Sequence, residues 1–164
     1  MALLGFPNPV NDKAARVVAA GVLVMALGAL VLGQRWLLVP LAYGFVARVL
    51  TGPRLSPLGQ LATRVVAPRL GPPKPVPGPP KRFAQGMGAT ITVSALIAEV
   101  AGAGTLASVL LVMIVIAASL ESGLGLCLGC SVFRGLMRVG LIPESACEAC
   151  AQLWTRPTPA RPAG

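Results

Sequence analysis

AARVVAAGVLVMALGALVLG, residues Ala14 to Gly33, is a run of 20 residues with one charge, Arg16 at its edge, and no proline. An α-helix needs about 20 consecutive apolar residues to cross the hydrocarbon core of a bilayer, so this stretch reads as a membrane-spanning helix. The charged start ahead of it is weak and further apolar segments follow, which favours a retained first helix over a cleaved signal peptide. The whole chain agrees. Of its 164 residues 55% are hydrophobic, 12% charged and 4% aromatic, and the mean hydropathy is +0.77. A soluble domain carries roughly 25% charged residues. Fourteen Lys and Arg with five Asp and Glu cannot clothe a water-soluble fold of this size, so the bilayer must cover the rest.

Outward from the first helix, Gly33 and Gln34 form a short polar break, and Arg35 and Trp36 supply the cation and aromatic typical of a membrane interface. A second span is expected over 36–50, with Pro40 in its first turns and Arg48 near its end, closing a hairpin with the first. From 51 to 82 the composition shifts to Pro, Gly and cations, the mark of a linker. Within it Ser56 and Pro57 form an N-cap and N1 pair, and Leu58, Leu61, Val65 and Val66 share one helical face. A short helix lying on the membrane surface and ended by Pro68 is expected, the alternative being a loop that happens to contain leucines. GPPKPVPGPP, Gly71 to Pro80, has six prolines in ten positions and reads as an extended spacer, neither helix nor sheet.

Apolar segments resume, giving helices over about 83–101 and 105–122 around a turn at Gly102, Ala103 and Gly104. Small residues recur at helical spacing, as in Ala84, Gly88 and Thr92, and Gly21 with Gly28, where backbones can approach closely inside a membrane. The expected fold is therefore all-α: an integral membrane bundle of four transmembrane helices in two hairpins. A surface helix in the linker and a Cys-containing tail complete a single domain over 1–150, with 151–164 disordered.

Orientation follows from the cations. Arg35 stands alone on the side of the hairpin turns. The opposite side holds Lys13, Arg16, Arg48, Arg54, Arg64, Arg69, Lys74, Lys81, Arg82, Arg134, Arg138, Arg156 and Arg161. By the positive-inside rule both termini and the linker face the cytoplasm. The net charge of +9 is then accounted for by topology and anionic lipid heads, not by nucleic acid.

The chemistry lies in the last quarter of the chain. Cys127 and Cys130 form one CxxC pair, Cys147 and Cys150 a second. The separation suits a four-thiolate zinc or iron-sulfur site; it equally suits dithiols that cycle to disulfides, and inert packing cysteines are the third reading. Ser131 to Val139 looks helical, which puts Cys127 and Cys130 at a helix start where the dipole and Arg134 favour a thiolate. Cys127 or Cys130 is then the attacking thiol. Glu144 and Glu148 disfavour ionisation of the second pair, leaving Cys147 and Cys150 as a relay or resolving pair. A cytoplasmic location argues against permanent disulfides. Glu99 and Glu121 lie near span ends and are expected to be solvated there, with a proton-relay role as the alternative. The chain has no His, which excludes His-dependent catalysis, and it lacks phosphate-binding loops, nucleophile elbows and dinucleotide fingerprints.

Several stretches carry a resemblance: FPNPVNDKAARVV from Phe6, LAYGFVARVLTGPRLSPLGQLATRVVAPRL from Leu41, GPPKRFAQGMGA from Gly78, LGLCLGCSVF from Leu124 and GLIPESACEAC from Gly140. Together they resemble the domain of unknown function 4395 family of bacterial, largely actinobacterial, membrane proteins, over Phe6 to Cys150. The resemblance implies a multi-pass protein of the bacterial plasma membrane with the four cysteines as signature positions. It also implies rhodanese-type sulfurtransferases and thioredoxin-like proteins as partners. Three functions follow: a membrane thiol-redox or sulfur-handling protein, which leads; a small sulfur-anion transporter, drawing on Arg48 and Thr92 and needing to form a homo-oligomer; and a noncatalytic scaffold with a structural four-Cys metal site.

Overall fold

A computed structural model of the chain describes residues 6–147. The chain order is β1 (Val10–Asn11), α1 (Asp12–Val31), a 3-10 turn (Arg35–Leu37) running into α2 (Leu38–Thr51), α3 (Pro57–Gln60), a π turn (Leu61–Val66), α4 (Ala67–Arg69), β2 (Pro75–Val76), α5 (Gly78–Val100), α6 (Gly104–Ser119), a second π turn (Leu120–Leu124), α7 (Leu128–Arg138) and a 3-10 turn (Glu144–Cys147). Among the described residues three helices are long and apolar enough to cross a membrane: Asp12–Val31, Gly78–Val100 and Gly104–Leu124. The expected helix at 36–50 is α2 with its preceding turn. Its 14 residues reach about 21 Å at 1.5 Å per residue, less than the roughly 30 Å of a bilayer core.

The core is a seam of small residues. Ala14, Val18, Val22, Ala26 and Ala29 repeat along the buried face of α1, and Ala107, Leu111, Ile114 and Ala118 along that of α6. Such faces let helices pack closely without a hydrophobic drive between them. α5 packs on both α6 and α2. Against α2 the contact is made by Gly88, where a Cβ would run into the Phe45 ring, and against α7 by Gly129, whose Cβ would lie 2.5 Å from Ala84 Cα. The opposite faces leave Val24, Val31, Ile97, Val100, Val109 and Ile116 exposed, an apolar belt that suits lipid.

Two linker expectations need correction. Gly71 to Pro80 is not purely an extended spacer. Pro75–Val76 pairs antiparallel with Val10–Asn11, and Gly78 to Pro80 form the first turn of α5. Proline is admissible at both places because a first helical turn and a strand edge need no N–H from it. The N-terminal segment is pinned to this linker: Asp12 N–H donates to Lys74 O at 2.9 Å and Gly78 N–H to Asn8 Oδ1 at 3.0 Å. The helix capped by Ser56, whose Oγ accepts from Gly59 N–H at 3.2 Å, does not stop at Pro68 but reaches Arg69. The π turn ahead of Pro68 is the physical reason: proline has no N–H for the usual ladder and its ring crowds the carbonyl four residues back, and a wider turn relieves both.

Gly88 gives a direct test. Gly88→Val forces a methyl-bearing carbon into Phe45 and should cost about 1–3 kcal/mol by overpacking. Gly86→Ala, with nothing within 4 Å of the new carbon, should hold or slightly raise the thermal unfolding temperature in detergent, since alanine is the better helix former.

Candidate functional site

One end of the bundle gathers the start of α1, the start of α5, the end of α6 and the start of α7. Lys81, only 6% exposed, places its Nζ 2.8 Å from Glu121 Oε1 and 3.3 Å from Asp12 Oδ1. The second oxygen of Asp12 accepts from Arg16 Nε at 3.1 Å. Asp12, Lys81 and Glu121 thus satisfy one another largely away from water, as buried charges must, while Arg16, its side chain 39% exposed, closes the cluster on the solvent side. Glu121 is therefore paired and not freely solvated. At the other end Glu99 faces Arg35 at 3.8 Å, and Arg35 Nη2 donates to Ser108 Oγ at 2.9 Å.

The CxxC pair stands directly on the first cluster. Cys127 is the N-cap of α7, its Sγ accepting from Cys130 N–H at 3.4 Å. Helices begin well where such an acceptor meets an unpaired N–H. Cys127 is 8% exposed and Cys130 half-buried. The thiol of Cys130 hydrogen-bonds to Cys127, and this contact, aided by Lys81 and the backbone N–H, holds Cys127 below the usual thiol range despite burial and Glu121. The same hydrogen bond, then burial, pushes Cys130 well above it. The pair is split into a thiolate-prone Cys127 and a proton-holding Cys130.

Two spaces meet at Cys127. Inside the bundle a cavity of about 160 Å³ is walled by apolar side chains together with Arg48, Gln85 and Glu121. Outside, a more polar cleft of about 400 Å³ is lined by Asp12, Lys81, Ser131 and Arg134, and there Cys130 joins Cys127.

Residues 10–138 match the family model for a domain of unknown function, DUF4395. The chain belongs to the DUF4395 family. No curated protein and no solved structure matches it. The DUF4395 match takes in Cys127 and Cys130 and stops short of Cys147. Cys147 is disulfide-bonded, buried, and packed with Phe133 against Phe83, Met137 and Ile142. Cys150 and Glu148 lie outside the described residues, and among the described residues no three Cys, Asp or Glu side chains converge as a metal site.

Asp12, Arg16, Lys81 and the inward role of Glu121 escape a reading of spacing, because each belongs to a different segment. A signal was present nonetheless. Asp12, Lys81 and Glu121 all lie at span ends that two antiparallel hairpins bring to one level.

A small thiol reagent such as methyl methanethiosulfonate should modify Cys127 before Cys130 at neutral pH. Cys130→Ala and Lys81→Met each remove a contact that favours the thiolate, so each should move the rate profile of Cys127 to higher pH. At a fixed pH the rate falls about tenfold for every unit of that shift. A profile unmoved in both variants would contradict the stated cause.

Proposed function

We propose that this DUF4395 protein is a membrane thiol-redox or sulfur-handling protein that cycles Cys127 and Cys130 between dithiol and disulfide. The observation that carries the reading is the split pair: a lowered Cys127 thiol at a helix N-cap beside the buried Lys81 ammonium, with Cys130 holding its proton one turn on. A packing cysteine has no use for an ammonium neighbour. Cys147 and Cys150 are the second pair, a relay that exchanges with the first and in turn with thioredoxin-like or sulfurtransferase partners in water.

The bundle sits in the plasma membrane with both termini and the linker on the cytoplasmic side, the side that carries the cations. On this arrangement α2 and its preceding turn make the fourth crossing. Their exposed Trp36, Val39, Tyr43 and Val46 meet lipid, and local thinning or snorkelling compensates for the short length.

The competing functions draw less support. A sulfur-anion path would need Thr92 to offer its hydroxyl, yet that hydroxyl is buried and donates to Gly88 O at 2.7 Å. A four-thiolate clamp would need Cys147 beside Cys127 and Cys130 with a free thiolate, whereas Cys147 is disulfide-bonded.

Anaerobic purification followed by metal analysis and thiol trapping tests the reading. The expected result is metal-free protein in which diamide closes, and dithiothreitol reopens, a bond between Cys127 and Cys130, with Cys127→Ser abolishing it. Stoichiometric zinc or iron with four protected thiols would overturn it. Labelling of single cysteines placed near Lys74 in intact cells gives the orientation: protection is expected, and labelling from outside would reverse the topology.

A further inference from the structure

The cavity of about 160 Å³ between α1, α2, α5, α6 and α7 has a composition that the dithiol alone does not explain. Its walls include Val18, Val22, Phe45, Ile91 and Ile114, and Cys127 stands at one edge. Arg48 is also on the wall, 5% exposed. Its Nε donates to Gln85 Oε1 at 2.8 Å and its Nη1 to Ser56 Oγ at 3.1 Å. The guanidinium sits over the Phe45 ring at 4.6 Å. Nη2 is buried with no hydrogen-bond partner among the described residues. An unmade donor on a buried cation is a rare and costly feature that calls for an acceptor.

The surroundings narrow what that acceptor is. Apolar walls disfavour a hydrated ion, and the Glu121 carboxylate on the same wall repels an anion. A flat, neutral ring carrying a carbonyl oxygen suits both constraints: its faces pack on Phe45 and the branched aliphatics, and its oxygen accepts from Nη2. Entry is from lipid, because Met113 lines the cavity while standing half exposed on the outer face of α6.

We propose that this cavity binds the head of a membrane-dissolved quinone, which serves as the electron acceptor for Cys127 and Cys130. The proposal rests on the dithiol reading above. The division of the cysteines fits it, since Cys127 borders both the apolar cavity and the polar cleft, and Cys130 only the cleft. The Cys127 thiolate adds to a ring carbon, forming an S–C bond, and the adduct takes the proton of the Cys130 thiol. The Cys130 thiolate then attacks Cys127 Sγ, so the S–S bond forms as the S–C bond breaks. The electron pair leaves on the ring, which takes a second proton from water. One dithiol is oxidised to a disulfide and one quinone reduced to a quinol. A dithiol reductant reaching Cys130 through the cleft restores the pair.

The test uses the full chain in lipid nanodiscs, reduced and anaerobic, with decyl-substituted benzoquinone and naphthoquinone as probes. One quinol should appear for each Cys127 to Cys130 disulfide closed. Arg48→Lys should weaken the apparent quinone affinity tenfold or more. Ala117→Phe, which fills the cavity from α6 without touching Arg48's hydrogen bonds, should abolish oxidation by quinone while diamide still closes the bond. Titration of quinone into the Cys127→Ser, Cys130→Ser protein should show binding that Ala117→Phe removes. Failure of both quinones to bind or oxidise, with diamide still effective, would overturn the acceptor and leave the dithiol reading standing. Parent-like kinetics in Ala117→Phe would overturn the site. No disulfide with any oxidant would remove both readings.

Discussion

An ammonium with almost no access to water fixes the working end of this bundle. Lys81 could not be left alone there: removing one partner of a buried charge costs about 3–5 kcal/mol, because the remaining charge has no solvent to turn to. Its two carboxylates come from segments far apart in the chain, Asp12 opening α1 and Glu121 in the π turn that follows α6. The pairing therefore sets the relative height of three helices whose apolar seams, being runs of Ala, Val and Leu, could otherwise slide. The short β1–β2 pair and the bond from Lys13 Nζ to Leu70 O at 2.7 Å hold the start of α1 in place to meet it. The cysteines inherit their electrostatics from this arrangement, since α7 begins seven residues after Glu121 and packs its Gly129 on α5.

Much of the fold was legible because membrane helices must satisfy every backbone group within the segment, which makes apolar length a strong signal. The spans at α1, α5 and α6 follow from that alone, and Ser56 with Pro57 announced the linker helix by capping chemistry. The linker misled for a physical reason. Proline density argues against regular structure only where an N–H is required, and the first turn of α5 and the strand at Pro75 do not require one. The length of α2 was legible too, but whether 14 helical residues with a 3-10 turn count as a crossing depends on how lipid adapts, which spacing does not encode.

The site was half visible. CxxC at a helix start names Cys127 and Cys130 but leaves open which of the two ionises, since that depends on which sulfur accepts the other's proton. What no local pattern carries is the partner of each charge. Glu99 and Arg35 face each other across two hairpin turns, and Arg48 reaches Gln85 and Ser56 from a third helix. Spacing arguments work within a segment, and these contacts are all between segments. The second Cys pair shows the same limit: its interval left a shared metal centre, a redox relay and packing open alike, and Cys147 is disulfide-bonded and packs with Phe133 of α7.

Gly125, the residue that ends the second π turn, has φ +69° and carries the Arg16 guanidinium where its side chain would be. It is at once a hinge in the left-handed region and a seat for a cation. Any side chain at this position would strain the backbone and push Arg16 aside, uncovering an oxygen of Asp12 that would then compete for Lys81. The spacing between the charged cluster and the first cysteine is thus guarded by a missing atom. A change there would reach Cys127 through Asp12 and Lys81 without touching it, so the ionisation of the thiol depends in part on a residue that has no chemistry of its own.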